Sequence, residues 1–508
     1  MGQTTILVMI LTIVSKIFGF VRESVMAAYI GAGDLKSIYT TAVTIPTMLT
    51  SVVTNGIVSG YIPIFNKVES EKGKKEANEF TSNIINILMI YASIVFIIVF
   101  IFAGPISKAL SPDLKGESLR LAKDYTRIII ISVFVLLYAS IVRGFLNTKG
   151  NFLDPALIGL ILNLFIILST IFTGIFKNPY ILIFGTLFGY IIQYIRFPFV
   201  AKNLGFRYIK KLDFSDKYVK LLLAMIIPII LSSAADQISL IIDNSMASGF
   251  FGIDSISKIF YAKTMLSFII GVVTLSVVTV TFPEIAKLGQ LGNIAGMKNK
   301  VGKSIVFSMI LVIPATLGMM SLSNPIIKLA FERSAFTSSD TKIVASLLMS
   351  YAPYIIFASL IKILANGFYS VGDSKTPLII ILIQQVVNIL MNVILSKAFG
   401  LDGLAYATSV STLVSSILLL LAFKKKFGKF ESNQNIISII KISLLSIIMY
   451  MVSRFIYSYI NKSQSFILSL IVAVIIASVV YFVGIIILKV PEFDQLIQTF
   501  KKKKIRRN

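Results

Sequence analysis

Long apolar segments recur along the whole chain and are separated by short polar stretches. Most run for about 20 residues or more, the length that an α-helix needs to cross the hydrocarbon core of a bilayer. The pattern predicts fourteen membrane-spanning helices, at residues 4–29, 40–65, 82–106, 126–146, 153–176, 180–201, 219–248, 257–285, 302–331, 341–369, 377–398, 402–423, 436–460 and 464–489. We therefore expect an all-α polytopic membrane protein without a large soluble domain.

The amino-acid composition agrees with a membrane protein and argues against two classes of function, nucleic-acid binding and enzymatic catalysis. The 508 residues are 56% hydrophobic, and they carry a formal net charge of +25. Lysine and arginine cluster between the apolar segments rather than among aromatic or glycine-rich motifs, so the charge indicates membrane topology and not nucleic-acid binding. The chain has no cysteine and no histidine. It therefore lacks thiol chemistry, the commonest zinc ligand and the usual general base, which argues against an enzyme.

The distribution of cations between the loops predicts the orientation. The loop after the second predicted span holds Lys67, Lys72 and two further lysines, whereas the loop after the first holds only Asp34 and Lys36. Loops after even-numbered spans are generally the more basic, so both termini should be cytoplasmic. The basic tail at 491–508 is typical of a short amphipathic helix on anionic lipid headgroups or of a solvated tail.

An internal repeat relates the two halves of the chain at an offset of about 220 residues. Five matches keep the same order: Glu23-Ser-Val-Met-Ala with Asp243-Asn-Ser-Met-Ala, Gly31 with Gly252, Pro63 with Pro283, Gly144-Phe145 with Gly367-Phe368, and Pro155 with Pro377. The offset spans six helices, an even number, so the two copies have the same orientation. We predict two parallel six-helix lobes at 1–217 and 218–430, two additional helices at 431–490, and a basic cytoplasmic tail at 491–508.

The first predicted helix carries ionisable residues far from a clean helix end: Lys16, Arg22 and Glu23. Such residues are expensive at membrane depth and usually face a protein interior or a water-filled cavity. Two cations here suggest an anionic ligand in a cavity that two lobes could open to either side in turn. Alternatively, Arg22 and Glu23 pair with each other or extend to the interface.

The motifs S-K-I-F-G-F-V-R-E at Ser15–Glu23 and G-A-G at Gly31–Gly33 resemble the MurJ (MviN) lipid II flippases. Further matches are Y-I-P-I-F at Tyr61–Phe65, Q-I-S-L-I-I-D at Gln237–Asp243 and G-F-Y-S-V-G-D-S-K-T-P at Gly367–Pro377. The family belongs to the larger group of polysaccharide and multidrug exporters, the MOP/MATE-like superfamily, whose two six-helix lobes agree with the repeat.

The resemblance implies a flippase that moves the lipid-linked peptidoglycan precursor, lipid II, across the bacterial cytoplasmic membrane by alternating access. It implies transport driven by membrane potential or by a gradient of a monovalent cation such as sodium. The expected partners are lipid II or a similar lipid-linked anionic precursor, membrane lipids and cell-wall synthesis proteins. No nucleic acid and no enzymatic activity are expected.

The resemblance also places substrate-binding residues. Lys16 and Arg22 match cationic positions of the family, and Lys263 stands beside another. At three positions where the family has charged residues this chain has neutral ones: Ser37, Thr50 and Thr264. These departures leave two alternatives, an exporter of another polyprenyl-pyrophosphate-linked oligosaccharide or a cation-coupled drug exporter of the same superfamily. The cations favour an anionic substrate, because a binding site for cationic drugs needs acidic residues.

A second site implied by the resemblance binds a monovalent cation in the C-terminal lobe. Its ligands would be Asp243, Asn388, Asn392, the Leu404 carbonyl and Thr408. Oxygen donors of this kind suit a hard cation such as sodium. Asp236, about two helical turns before Asp243, is a second candidate for the acid. The alternative is that these side chains form ordinary interhelical hydrogen bonds.

Overall fold

The computed structural model describes residues 2–430 and 433–493. In these residues all regular structure is helical, with twenty α-helices and one short π-helical segment. The expectation of an all-α chain is therefore confirmed. Most of the basic tail predicted at 491–508 lies outside the described residues.

The first ten helices occupy the N-terminal half of the chain. They are α1 (Gly2–Ile30), α2 (Asp34–Lys72), α3 (Lys74–Ile101), α4 (Ala103–Leu110), α5 (Gly116–Ile129), α6 (Ser132–Thr148), α7 (Leu153–Phe176), α8 (Tyr180–Ile192), α9 (Phe197–Asn203) and α10 (Lys217–Phe251).

The remaining helices follow in the C-terminal half. They are α11 (Asp254–Ile269), α12 (Leu275–Gln290), α13 (Ile294–Ser321), α14 (Ser323–Phe331), α15 (Ser338–Tyr351), α16 (Pro353–Ser370), α17 (Lys375–Phe399), α18 (Leu401–Phe427), α19 (Asn433–Ile460) and α20 (Phe466–Ile487). The π-helical residues Ile270–Thr274 join α11 to α12.

Ten helical segments among the described residues are long and apolar enough to cross a membrane. They coincide with ten of the fourteen predicted spans. Helices α1, α2, α10 and the α11–α12 stretch lie at the other four predicted positions. A polytopic helical membrane protein is thus confirmed, and the total of fourteen spans stays a prediction.

Several helices continue past the apolar segments that predict them. Helix α2 extends to Lys72, and after Gly73 the next helix begins at Lys74. The prediction of a loop at Lys67 and Lys72 was therefore wrong. Hydropathy marks only the part of a helix that lies in lipid, while lysine and glutamate are good helix formers in water. The chain reverses at Gly73, whose φ of 96° lies in the left-handed region.

The chain forms two compact units. The first contains the described residues up to Ser257 together with Arg333–Thr337, and the second contains Lys258–Glu332 and the described residues from Ser338 onwards. In the first unit the core includes Tyr61 and Phe145, where Gly144 lets helix α6 pack against the Tyr61 ring. These contact-based units place α10 with the N-terminal helices, so their boundary differs from the repeat boundary predicted at residue 217.

Residues with left-handed backbone conformations recur in the same order in both halves. Twelve of them form six pairs at offsets between 218 and 223 residues: Gly31 and Gly252, Gly73 and Gly292, Gly116 and Ser334, Gly150 and Gly372, Lys177 and Gly400, Gly205 and Gly428. Ten of the twelve lie one or two residues after the end of a helix, where a left-handed residue allows the chain to turn. Four of the pairs are glycine in both halves, and the other two keep the conformation although one member is Ser334 or Lys177, so the conformational repeat supports the sequence repeat.

The turns at Gly150 and Gly372 show the likeness in atomic detail. The N–H groups of Gly150 and Gly372 donate to carbonyls three residues earlier, at 3.1 and 3.0 Å. The residues that follow, Asn151 and Asp373, donate from their N–H groups to carbonyls five residues earlier, at 2.9 and 3.0 Å. The same turn therefore closes the corresponding helices of both halves.

The turn in the second half carries a pH-sensitive ion pair between Asp373 and Lys426. Burial alone would raise the pKa of the Asp373 carboxyl, but hydrogen bonds from Lys426 and Thr376 outweigh it and lower the pKa to about 2. A lowered pKa stabilises the fold above the unfolded value of about 4. We expect the melting-temperature difference between wild type and Asp373→Asn to shrink as the pH falls from about 4 towards 2. A difference that stays constant over this range would contradict the ion pair.

The turn at Gly31 predicts a stability effect. Gly31 has φ 77°, and a Cβ added there would lie 2.5 Å from the carbonyl oxygen of Ala335. Gly31→Ala should therefore destabilise the fold by about 1–3 kcal/mol, since backbone strain and steric overlap add. The matched control is Gly33→Ala, because Gly33 has φ −89° and among the described residues no heavy atom lies within 4 Å of an added Cβ. Equal melting temperatures of the two variants, measured by circular dichroism in detergent, would contradict this account.

Candidate functional site

Helices α1 and α2 are joined at a buried carboxylate, that of Glu23 on α1. Its Oε1 accepts hydrogen bonds from Nε and Nη2 of Arg22, at 2.9 and 2.5 Å. Its Oε2 accepts one from Nζ of Lys36 on α2, at 2.7 Å. Glu23 is 2% exposed and Lys36 is 1% exposed. We call Arg22, Glu23 and Lys36 the α1–α2 charge network.

The sequence of the α1–α2 turn explains how Lys36 reaches this position. Helix α1 ends at the left-handed Gly31, and α2 begins at Asp34, whose carboxylate suits a helix N-terminus. Lys36 then lies in the first turn of α2, with Nζ 5.6 Å from the ring centroid of Tyr39. The prediction of Lys36 as a loop cation was wrong. In the sequence Lys36 lies close to Asp34 between two apolar segments, which is the pattern of a polar loop. A single buried lysine adds no periodic signal that would distinguish it.

Arg22 is held from a third helix. Its Nη1 donates to Oδ1 of Asn163 on α7 at 3.1 Å, and Asn163 Nδ2 donates to the Ser15 carbonyl at 3.3 Å. The two helices approach closely because α7 has a glycine at residue 159, where an added Cβ would lie 2.1 Å from Ser15 Oγ. The Arg22 side chain keeps 25% of its surface exposed. Contacts among the described residues use three of its five N–H groups.

The network joins two cations to one carboxylate. Arg22 binds one oxygen of Glu23 and Lys36 binds the other. The pairing of Arg22 with Glu23, one of the alternatives from the sequence, is present. Glu23 is shared with a second cation, Lys36. The remaining Arg22 N–H groups are suited to an anion.

Lys16 lies on α1 about four residues beyond Thr12, on the side of the helix that faces α6. It is exposed and lines a cavity of about 350 Å³ together with Arg143 and Asn147 of α6. Arg143 is a cation that the sequence reasoning missed. It sits near the end of an apolar segment, where an arginine is ordinarily an interface residue.

Lys263 lies in the second unit, on α11. Its Nζ is 5.3 Å from the centroid of the Tyr351 ring, within the range of a cation–π interaction. Thr264, the residue at the family's cationic position, donates from Oγ1 to the Phe260 carbonyl of its own helix at 2.8 Å. The cation at this point of the helix is therefore Lys263, and its role in binding stays a prediction.

Four of the five residues predicted for a cation site lie close together in the second unit. Asn392 Nδ2 donates to Asn388 Oδ1 at 3.4 Å, and Asn388 Nδ2 is 3.5 Å from Thr408 Oγ1. Thr408 Oγ1 in turn donates to the Leu404 carbonyl at 3.1 Å. Asp243 is buried and belongs to the first unit. Among the described residues no three acidic, histidine or cysteine side chains gather as metal ligands, and the Asp236 side chain lies outside them.

The family described as "Lipid II flippase MurJ" matches residues 26–492. The chain belongs to this family. A MurJ-family chain is a multi-pass membrane transporter rather than an enzyme. Curated relatives named "Probable lipid II flippase MurJ" include one from Rickettsia prowazekii, 28% identical, with 97% of this chain and 98% of the relative covered. Another, from Buchnera aphidicola, is 27% identical over 90% of this chain and 92% of its own length.

Solved structures show the same relationship. A structure titled "Lipid II flippase MurJ, inward closed conformation" superposes with a TM-score of 0.81 at 26% identity, and it covers 97% of this chain and all of its own. An inward-facing multidrug MATE transporter gives a TM-score of 0.70 at 15% identity, covering 83% of this chain and 98% of its own, and so shows the fold alone.

In this MurJ-family chain, two of the neutral residues that stand at charged family positions have their hydroxyls hydrogen-bonded to backbone groups. Ser37 is fully buried, and its Oγ accepts a hydrogen bond from the N–H of Ser257 at 3.1 Å. Thr50 donates from Oγ1 to the Pro46 carbonyl at 2.8 Å. Both hydroxyls therefore serve helix packing, and the buried cation of α2 is Lys36.

Proposed function

We propose that this protein moves lipid II from the inner to the outer leaflet of the bacterial cytoplasmic membrane. The observation that carries the proposal is the α1–α2 charge network, in which two cations share one carboxylate and the Arg22 guanidinium is partly exposed. Lipid II is a lipid-linked diphosphate, and a guanidinium can bind phosphate oxygens through two parallel hydrogen bonds. The match to the lipid II flippase family over residues 26–492 supports this substrate.

The charge network suggests how one substrate can be bound and then released. Glu23 holds Arg22 in place through two hydrogen bonds while Lys36 holds the other oxygen of the same carboxylate. An incoming diphosphate would take the remaining Arg22 N–H groups. The site needs no covalent chemistry, since transport requires only that the site face each side of the membrane in turn.

We further propose alternating access between two parallel six-helix lobes, with fourteen spans and both termini cytoplasmic. The paired left-handed residues support the repeat on which this architecture rests. Cell-wall synthesis proteins remain the expected partners.

Energy coupling is proposed through the membrane potential or a sodium gradient. The oxygen-rich group of Asn388, Asn392, Thr408 and the Leu404 carbonyl is the proposed cation site. Sodium chloride should then raise the melting temperature of the purified protein more than choline chloride of equal ionic strength, and Asn392→Leu should abolish the difference. If sodium and choline act alike on wild type, the group is an interhelical hydrogen-bond cluster.

A second candidate function, export of another polyprenyl-diphosphate-linked oligosaccharide, shares the same headgroup chemistry. Ser37, Thr50 and Thr264 are neutral, so none of them supplies the acidic side chain that a binding site for a cationic drug needs. They therefore favour oligosaccharide export over drug export.

The experiment that tests the proposal is complementation of a bacterium depleted of its own lipid II flippase. Rescue of growth, with lipid II no longer accumulating in the inner leaflet, is the expected result. Failure of rescue by protein that accumulates normally in the membrane would favour the other lipid-linked oligosaccharides.

A further inference from the structure

A second cationic site lies beside the charge network, in the cavity of about 350 Å³ between α1, α6 and α7. Lys16 and Arg143 both line it, and Ser15 and Asn147 add a hydroxyl and an amide. Its described lining contains no aspartate or glutamate, and the contacts of the described residues give Arg143 no carboxylate partner. We call it the Lys16–Arg143 cavity.

Local sequence explains why these groups converge. Arg143 and Asn147 are four residues apart on α6 and therefore share one helix face. Ser15 and Lys16 approach that face from α1, and α7 packs close to Ser15 because its residue 159 is glycine.

The cavity is connected to the charge network through one side chain. Asn163 donates from Nδ2 to the Ser15 carbonyl at the cavity and accepts at Oδ1 from Arg22 Nη1 in the network. Two cationic sites therefore adjoin along the α1–α7 contact.

The chemistry of the lining selects a phosphate-type anion. Arginine offers a planar pair of donors and lysine a compact charge, which together suit two neighbouring phosphate groups better than one. Apolar residues such as Phe152 and Pro155 complete the wall. A volume of about 350 Å³ admits a diphosphate but leaves the prenyl chain and most of the sugar outside.

We propose that the Lys16–Arg143 cavity binds the diphosphate of the lipid-linked substrate, with Arg143 in direct contact with it. This inference rests on the proposed function, because it assumes that a prenyl-diphosphate lipid enters the protein. Arg143 is thereby a substrate-binding residue, and the cavity is a subsite separate from Arg22.

The test compares three lipids on the full-length protein in detergent, by native mass spectrometry: lipid II, undecaprenyl monophosphate and phosphatidylglycerol. The variants are Arg143→Ala, Arg143→Lys and Lys16→Ala. The matched control is Arg454→Ala, which removes an exposed arginine from α19, outside this cavity.

We expect Arg143→Ala to weaken lipid II binding by about tenfold or more, the loss typical of a charge-assisted hydrogen bond. The same variant should weaken the binding of undecaprenyl monophosphate less, so the preference for the diphosphate lipid over the monophosphate lipid shrinks. Arg143→Lys should retain part of that preference. A purely structural role of Arg143 would change all three lipids alike and would be visible as a lower melting temperature.

Two results would overturn the inference. If Arg143→Ala binds lipid II as tightly as wild type, Arg143 does not contact the substrate, and the proposed function is unaffected. An equal loss for phosphatidylglycerol and lipid II would make the cavity a site for bulk anionic phospholipid headgroups. A wild-type protein that binds no lipid II would instead contradict the proposed function itself.

Discussion

Glu23→Gln is expected to destabilise the protein more than any other single change in the site. The substitution keeps the size of the side chain but leaves the buried Lys36 and the partly exposed Arg22 without the carboxylate that they share. Breaking a buried ion pair by removing one partner typically destabilises by about 3–5 kcal/mol. We therefore expect a clear fall in melting temperature and in the amount of protein in the membrane.

A second variant separates this explanation from a packing defect. In Glu23→Gln with Lys36→Met the network loses one cation as well, so only the partly exposed Arg22 remains charged. If the loss of charge balance is the cause, the double variant should be more stable than Glu23→Gln alone. A double variant less stable than either single variant would show that Glu23 and Lys36 act independently, contrary to the network described here.

Arg22→Ala is expected to have the opposite profile, with transport lost and folding largely kept. Removing Arg22 leaves Glu23 paired with Lys36 as a neutral buried pair, so the fold does not have to hold an isolated charge. The substrate, however, loses its guanidinium partner. We expect transport to fall by at least about tenfold, given the strength of a charge-assisted hydrogen bond.

Arg22→Lys and Arg454→Ala complete this comparison. Lysine keeps the charge but not the planar pair of donors, so an intermediate transport rate is expected. Arg454→Ala removes an exposed arginine from α19 and should transport as wild type. An Arg22→Ala protein that transports normally would exclude Arg22 from the substrate path.

The sequence predicts much of the fold because lipid imposes a simple rule on it. Apolar segments must form helices with all backbone groups paired, so hydropathy locates them well. It does not show where a helix ends in water, which is why α2 and α3 are longer than predicted. The repeat was detectable from scattered matches, and the left-handed residues strengthen it because a turn can keep its conformation when its sequence changes, as at Lys177 and Gly400.

The candidate site was only partly predictable. Lys16, Arg22 and Glu23 stand out because charges are rare inside an apolar segment. Lys36 and Arg143 do not, since both lie near predicted helix ends, where cations are ordinary. Their positions depend on tertiary contacts: the tight turn at Gly31 brings Lys36 to Glu23, and the packing of α1, α6 and α7 places Arg143 and Lys16 in one cavity.

The most direct test of the central claim is lipid II translocation by the purified protein in proteoliposomes. Fluorescent lipid II is incorporated in both leaflets, and its exposure at the outer surface is followed with an impermeant reagent under an imposed membrane potential. Wild type should increase outer-leaflet exposure over protein-free vesicles, and Arg22→Ala, reconstituted at equal density, should not. Equal translocation by wild type and Arg22→Ala, or none by folded wild type, would contradict transport of lipid II through a cationic site on α1.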